Sequence, residues 1–382
     1  MTDAPTDPLH RYHRQMLLDH IGRTGQERLA ASHAAIIGCG ALGSGVADLL
    51  ARAGVGTLTI IDRDVVEPTN LQRQVLFDER HLAAALPKAE AARQRIGEIN
   101  SSVRVMAHVA EFSARTVEMV IGRVPSIGAP LTAPSPHAKP RADGADLPAP
   151  GVLIDGTDNF ETRLLINDLA VSRRIPYVYA GVLGTRGMVL ALTPWLGGPC
   201  LRCLVDRPPA PGSVATCDTA GVLGPAVAHA TSLQATEAIK ALLGRADLLS
   251  PDLVEFDLWT GVQRRVTAAG LRDPACACCG RGEFEYLAGR GGAASATLCG
   301  RGSVQVMPAT QGLLDLSGLA ARLALVAEVT RNPFLVRAVL QDERGERGDR
   351  LTLTIFRDGR VIVSGTSAAE RARGLVARYI GA

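Results

Sequence analysis

Four cysteines stand in two pairs, Cys200-Leu201-Arg202-Cys203 and Cys276-Ala277-Cys278-Cys279. The outer residues of each pair have the Cys-x-x-Cys spacing that lets two thiolates grip one ion, and two such pairs supply the four ligands of a tetrahedral Zn2+ site. A catalytic dithiol is the competing reading for either pair alone. Both pairs lie in Gly- or Pro-flanked turns, however, where zinc staples loops that lack a core of their own. Cys200, Cys203, Cys276 and Cys279 are therefore the expected ligands, with Cys278 outside the tetrahedron because its spacing from Cys276 is wrong.

The second constellation is Gly38-Cys39-Gly40-Ala41-Leu42-Gly43. A lone Gly-x-Gly-x-x-Gly is a weak signal that also describes a merely tight turn. Here it follows the apolar run Ala34–Ile37 and opens a helical stretch to Ala53, so N–H groups at a helix N-terminus can receive a phosphate. Gly38, Gly40 and Gly43 are thus expected to cradle a nucleotide. A second apolar run, Thr57–Ile61, ends in Asp62, 24 positions beyond Gly38 and near the ~20 expected of a ribose-binding acid. NAD is the default ligand of such a loop. The stretch Asp62 to Gln74, with Asp64, Glu67, Asn70, Gln72 and Arg73, packs more acids, amides and guanidinium than a dehydrogenase needs, and ATP explains it better. Arg73 and Lys88 can face phosphates, although a surface ion pair worth ~0–1 kcal/mol is the bland alternative for Arg73. Asp158, at the end of the apolar run Val152–Asp155 and opposite those cations, completes a Mg2+-triphosphate site, since Mg2+ is held by one or two carboxylates plus substrate phosphates.

These residues need elements to carry them. The order strand, glycine turn, helix, strand, acid predicts an α/β fold with a Rossmann-like, mostly parallel sheet, whose ligand crevice lies at the carboxyl ends of the strands. Further strands are expected at Val103–Val109, Val152–Asp155, Tyr177–Ala180, Gly187–Leu192, Val254–Asp257 and Gln263–Val266, with helices at Lys88–Ile99, Thr116–Ile121, Glu161–Arg173 and Pro225–Leu243. Seven prolines between Gly122 and Gly151 read as a flexible surface insertion. Residues 1–282 are expected to form one domain with this insertion at about 122–151. A linker follows at 283–302, and 303–382 form a small α+β module of strand, helix, three strands and helix.

Composition bounds the partners. The 382 residues are 47% hydrophobic and 21% charged, and 41 Lys+Arg against 38 Asp+Glu leave a net charge of +3. That is too small for a protein that wraps nucleic acid. No run reaches the ~18 apolar residues of a membrane span, and the polar start Met1 to Arg14 has no apolar signal region. A cytoplasmic location is expected, with the paired cysteines reduced and metal-bound rather than disulfide-linked.

Taken together, Arg11-Tyr12-His13-Arg14-Gln15, the glycine loop, Asn70-Leu71-Gln72-Arg73-Gln74, Pro87-Lys88, Asp155-Gly156-Thr157-Asp158-Asn159, both cysteine pairs and Gln234 to Lys240 resemble the E1-like adenylyltransferases that activate ubiquitin-like sulfur carriers. That family includes the ThiF and MoeB proteins of thiamin and molybdopterin synthesis, and HesA. The resemblance runs from Arg11 to about Gly280. It implies that Asp62 holds the ATP ribose, that Asn70, Arg73 and Lys88 contact the phosphates, and that Asp158 holds Mg2+. It also implies a homodimer in which Arg14 reaches the ATP phosphates of the neighbouring subunit. Cys217 matches a loop cysteine that in relatives can bond covalently to the activated carrier. The implied reaction is adenylation of the C-terminal Gly carboxylate of a carrier ending in Gly-Gly, with release of pyrophosphate. The tail, with Cys299-Gly300-Arg301-Gly302 and Asp358-Gly359-Arg360, does not look like the rhodanese domain of some relatives, so the sulfur donor is expected to be a separate protein.

Two other classes compete. An NAD-dependent, zinc-bearing oxidoreductase could use the same glycine loop, but leaves the Asp62–Gln74 stretch unexplained. A non-catalytic scaffold of the same fold would be expected to have eroded catalytic positions, whereas Arg14, Asp62, Arg73, Lys88 and Asp158 are all present.

Overall fold

The computed structural model describes residues 7–118, 149–209, 217–290, 297–298, 302–307, 313–346 and 348–381. Most of the proline-rich stretch, the end of the helix expected at Thr116–Ile121, and Cys299 lie outside them. The chain forms two compact units by its contacts. The first comprises residues up to Asp64, Thr69–Phe77 and Lys88–Gly292. The second comprises Ala293–Ala382 together with Val65–Pro68 and Asp78–Pro87.

The first unit begins with two short helices, α1 (His13–Met16) and α2 (Gly22–Ala30). Gly22, in the left-handed region at φ 58°, marks the break between them. Then β1 (His33–Ile37), the glycine turn, α3 (Ala41–Ala53) and β2 (Thr57–Ile61) follow in the expected order. After α4 (Glu79–Ala83), assigned to the second unit, come α5 (Lys88–Ile99) and β3 (Arg104–His108). The unit continues through β4 (Val152–Asp155), α6 (Phe160–Arg173), β5 (Tyr177–Leu183), β6 (Arg186–Leu192), α7 (Leu201–Leu204), α8 (Cys217–Ala220) and α9 (Gly224–Leu242). It ends in the strands β7 (Asp252–Asp257) and β8 (Val262–Thr267).

All eight strands join one sheet in the order β3-β2-β1-β4-β5-β6-β7-β8. The pairs from β3 to β5 are parallel and those from β5 to β8 antiparallel. Residues of β1 and β4 are buried along their whole length, which is why both read as continuous apolar runs rather than alternating ones. The chain runs outward from β1 to β3 on one side and restarts at β4 on the other. The switch between β1 and β4 is where an open α/β sheet makes its ligand crevice, and both chemistry-bearing loops, 38–43 and 156–159, leave the sheet there. None of the described helices is long and apolar enough to cross a membrane.

Crowding at this switch point explains three glycines. Gly38 has φ 85°, a left-handed conformation, and a Cβ on it would lie 2.7 Å from the Gly156 carbonyl oxygen. A Cβ on Gly43 or on Gly156 would be driven into the Gly38 carbonyl oxygen. Gly40 is different, since a Cβ there would meet only atoms at 3.8 and 3.9 Å.

The second unit is a six-stranded sheet in the order β11-β12-β13-β14-β10-β9. Its strands are β9 (Thr297–Leu298), β10 (Ser303–Val306), β11 (Ala327–Arg331), β12 (Leu335–Arg344), β13 (Arg350–Phe356) and β14 (Val361–Ser364). Every pairing is antiparallel. Helices α10 (Leu316–Leu323) and α11 (Ala369–Tyr379) supply apolar faces to its core, which gathers Leu319, Leu323, Val336, Leu353, Val363 and Leu375. Four strands, not the three expected, lie between these helices. The extra one arises because Asn332-Pro333 breaks the apolar pattern into a hairpin turn, in which Asn332 N–H donates to the Leu335 carbonyl.

The two kinds of glycine separate in a thermal melt. Gly156→Ala is expected to destabilise the fold by about 2–3 kcal/mol, an overpacking cost, whereas Gly40→Ala should melt near wild type. Equal melting temperatures for wild type and Gly156→Ala would show that the two loops can part without cost.

Candidate functional site

The glycine turn delivers the first N–H groups of α3 with no side-chain cap, since its N-cap is Gly40. Uncapped N–H groups at the start of a thirteen-residue helix form an anion site backed by the helix dipole. The Asp62 carboxylate fixes the turn from the end of β2. Its Oδ2 accepts from Cys39 N–H at 2.7 Å and its Oδ1 from Asp64 N–H at 2.7 Å. Burial pushes the Asp62 carboxyl above the usual carboxylate range and the nearby Lys88 charge pulls it back. Each carboxylate oxygen keeps a further lone pair for a ligand hydroxyl.

Lys88 opens α5 and is only 2% exposed. Its Nζ lies 3.1 Å from Asp64 Oδ2, and its N–H donates to the Asp64 carbonyl at 2.9 Å. A buried ammonium needs such a partner, because leaving one ion of a pair alone in the interior costs several kcal/mol. Asp62, Asp64 and Lys88 thus form one charge cluster beneath the glycine turn. Asp64 was not among the expected site residues. Its signal was present in the same acidic stretch, but nothing local told that it would pair with a residue 24 positions on.

The 3-10 turn Pro68–Asn70 carries the next group. Asn70 is buried, and its carbonyl accepts from Arg73 and Gln74 N–H. Arg73 is half-buried, with Nη1 donating to the Thr69 carbonyl at 2.7 Å. Gln74 was not expected in the site. It is 2% exposed, its Nε2 lies 3.9 Å from where a Cβ on Gly40 would stand, and its buried Oε1 has no hydrogen-bond partner among the described residues.

On the other side of the switch point, Asp158 is exposed. Behind it Asn159 caps α6, its Oδ1 accepting from Thr162 N–H at 2.8 Å. The loop is anchored by Asp155, fully buried, whose Oδ1 accepts from Thr157 N–H and Oγ1–H and whose Oδ2 accepts from Arg163 Nε–H at 3.1 Å and Tyr177 O–H at 3.0 Å. Burial by itself would favour loss of the Arg163 proton. The negative charge of Asp155, together with Tyr179, Tyr177 and Asp158, outweighs it and holds the guanidinium charged. From α9, Gln234 Nε2 donates to the Asp155 and Val178 carbonyls.

The remaining expected residues are placed as follows. Arg14 is exposed on α1, whose neighbour Gln15 is tied to the Ala53 carbonyl and to Gln26. Cys217 begins α8, and its side chain lies outside what the structure describes.

Cys200, Cys203, Cys276 and Cys279 come together, all four sulfurs lying within 4.8 Å of one another. Sγ separations are 3.9 Å for Cys200–Cys203, 3.7 Å for Cys200–Cys276 and 3.4 Å for Cys203–Cys279. Sulfurs at ~2.3 Å from a tetrahedral ion are about 3.8 Å apart, so the donor set fits such an ion. As thiols, Cys203 and Cys279 resist ionisation. The hydrogen bond with Cys200 and then burial push Cys203 up to about 12, while burial and then Cys203 push Cys279 up to about 11. A bound cation reverses this by stabilising thiolates. Asn167 of α6 joins the two cysteine turns, and Asp168 beside it holds the chain that follows the second one. Asn167 Oδ1 accepts from Leu201 N–H at 2.7 Å, and its Nδ2 donates to Cys278 Sγ at 3.3 Å. Asp168 Oδ2 accepts from Tyr286 and Leu287 N–H.

Comparison with known proteins agrees with this geometry. The sequence model of the ThiF family matches residues 12–278. A Bacillus subtilis protein named sulfur carrier protein ThiS adenylyltransferase is 38% identical over 372 residues, covering 97% of this chain and 99% of the relative. A Thermus thermophilus protein named sulfur carrier protein adenylyltransferase is 36% identical over 278 residues, 72% of this chain and 92% of the relative. Among solved structures, Escherichia coli MccB with MccA-N7isoASN superposes with a TM-score of 0.55 at 21% identity, over 72% of this chain and 76% of that one, a likeness of fold.

Proposed function

This chain belongs to the ThiF family, and from that premise we propose that it activates a ubiquitin-like sulfur carrier by ATP-dependent adenylation of the carrier's C-terminal glycine. The observation that carries the reading is the pairing of an uncapped α3 N-terminus, at the carboxyl end of β1, with the Asp158 loop across the switch point. A carrier ending in Gly-Gly is the substrate this reading requires. An oxidoreductase using NAD and a non-catalytic scaffold are both set aside by the named adenylyltransferase relatives.

In the reaction an oxygen of the carrier carboxylate attacks the α-phosphorus of ATP. The bond from that phosphorus to the bridging oxygen breaks, and pyrophosphate leaves with the electron pair. An anion must thus approach a polyanion, so positioning and fixed positive charge carry the catalysis. Gly38, Gly40 and Gly43 let backbone N–H groups approach the phosphates, and Asp62 holds the ribose. Asn70, Arg73 and Lys88 face the phosphate oxygens, for which Arg73 and Lys88 exchange or share their present partners, the Thr69 carbonyl and Asp64. Asp158 would hold Mg2+, which supplies charge against the triphosphate when bound. Cys217 serves only a later step, as a thiol that takes the activated acyl group. Sulfur itself comes from a separate donor protein.

We assign the four-cysteine cluster to Zn2+ in a structural role, supported by its sulfur spacing and by its distance in sequence from the nucleotide loops. Reduced, metal-bound thiols accord with a cytoplasmic location. The exposed Arg14, with Leu17 and Leu18 also exposed beside it (68% and 55%), supports a homodimer in which each Arg14 completes the partner's ATP site.

Three measurements test this reading. Asp158→Ala should suppress ATP–pyrophosphate exchange by ~10²–10³, as does loss of one preorganised electrostatic group, while Cys217→Ala should leave exchange near wild type. Wild-type exchange by Asp158→Ala would remove the metal assignment. For the dimer, mixing inactive Arg14→Ala with inactive Asp158→Ala subunits should restore activity, because one site of the heterodimer then has both groups; no recovery after proven subunit exchange would place Arg14 within its own chain's site or outside catalysis. Metal analysis of fresh reduced protein should find about one zinc per chain, and Cys200→Ser should lose it together with thermal stability. A zinc-free preparation of undiminished stability would contradict the structural role.

A further inference from the structure

The segment that leads into Lys88 is built in an unusual way. Helix α4 is capped at its start by Asp78, whose Oδ1 accepts from Arg80 N–H while His81 Nδ1 accepts from Asp78 N–H in return. At its end, Ala85 N–H donates to the Leu82 carbonyl and Leu86 N–H to the His81 carbonyl. This is the Schellman pattern, in which the residue after the helix turns left-handed and is usually glycine. Here that residue is Ala85, buried, with φ 47°. A side chain in that region is strained and persists only where surrounding contacts over-determine it.

The surrounding contact comes from the C-terminal module. Asn332, in the β11–β12 turn, donates through Nδ2 to the carbonyls of Ala84 at 3.2 Å and Ala85 at 3.0 Å. Its Oδ1 accepts from Phe334 N–H at 2.9 Å and Leu335 N–H at 3.0 Å. Two donated and two accepted bonds fix the amide in one orientation and fasten it to its own hairpin. Both carbonyls lie past the last residue of α4, where no intrahelical N–H reaches them. From Ala85 the chain runs through Leu86, whose carbonyl accepts from Val66 N–H, and Pro87, paired with Val65, to Lys88. Lys88 is three residues from the clamped turn.

We propose that Asn332 is a positioning residue for adenylation, holding the left-handed Ala85 turn so that Lys88 is presented to the ATP phosphates. The clamp itself lies within the second unit and reaches Lys88 only along the chain, through Leu86 and Pro87. The proposal rests on the adenylation reading above, in which Lys88 faces phosphate.

The test uses the full-length protein. Asn332→Asp keeps the size and the acceptor pair but sets a carboxylate oxygen against two carbonyls, and Asn332→Ala removes the clamp. Both should raise KM for ATP on the order of tenfold, about what one net hydrogen bond contributes, without changing KM for the carrier. Ala85→Gly removes the left-handed penalty, so Asn332→Ala/Ala85→Gly should regain most of the ATP affinity. Hydrogen exchange gives a readout independent of activity: the Leu86 and Lys88 amides should exchange faster in Asn332→Ala, with the β1 and β4 amides unchanged. Wild-type KM for ATP and wild-type protection at Leu86 and Lys88 in a folded Asn332→Ala protein would overturn the proposal. So would equal losses toward ATP and carrier that Ala85→Gly does not rescue, the mark of a merely structural residue. Should the wild type exchange no pyrophosphate with any Gly-Gly carrier, the adenylation reading falls and the role for Lys88 with it, whereas the exchange data still decide whether Asn332 holds the turn.

Discussion

Two loops in this protein touch through backbone alone. At the carboxyl ends of β1 and β4, Gly38, Gly43 and Gly156 approach so closely that no side chain fits between them, and the remainder of the first unit is arranged around that contact. It sets where α3 begins, and therefore where its uncapped N–H groups point. It also sets where the Asp158 loop leaves β4. Because β1 and β4 straddle the point at which strand order reverses, the contact brings an anion-binding helix start and an acidic loop to the same crevice. A nucleotide triphosphate with its divalent cation is the ligand whose charge distribution suits that combination.

Around this contact the protein buries charge in compensated groups. Asp62 and Asp64 share the buried Lys88 on the β2 side, and Asp155 pairs with Arg163 and Tyr177 on the β4 side. Neither group is an economical way to stabilise a fold, since apolar replacements of a buried ion pair are often as stable. Their value is in orientation: Asp62 holds the glycine turn by the Cys39 N–H, and Asp155 holds Thr157 next to Asp158. Farther along the chain the two cysteine turns come together, with four sulfurs within 4.8 Å of one another and Asn167 bonding to both turns.

Much of this was legible in the residues. The buried parallel strands β1, β2 and β4 read directly as apolar runs, and Lys88–Ile99 and the strand starting at Val152 fall where the pattern places them. The glycine turn stands between β1 and α3 as its spacing indicated, and the four outer cysteines of the two pairs do come together. What was not legible depends on partners distant in sequence. Asn332 meets Ala84 across 248 positions, and no local periodicity encodes that meeting. The assignment of Val65–Pro68 and Asp78–Pro87 to the second unit was invisible for the same reason. Gln74 sat within a recognised motif, but its place above the glycine turn follows from how the Pro68–Asn70 turn folds back. Nothing in the local sequence marks Asn167 and Asp168, whose partners Leu201, Cys278, Tyr286 and Leu287 lie 34 to 119 positions away.

The proposed function turns on one chemical event, transfer of the adenylyl group to a carrier carboxylate in the crevice between the β1 and β4 loops. It is tested most directly by incubating the protein with Mg2+, a Gly-Gly-ending carrier and ATP labelled in either the α- or the γ-phosphate. The expected result is that α-label becomes carrier-bound and is released by hydroxylamine, as a mixed acyl–phosphate anhydride requires, while γ-label leaves as pyrophosphate. Carrier labelled from the γ-phosphate, or left unlabelled by ATP in every carrier tried while the protein binds NAD instead, would contradict it.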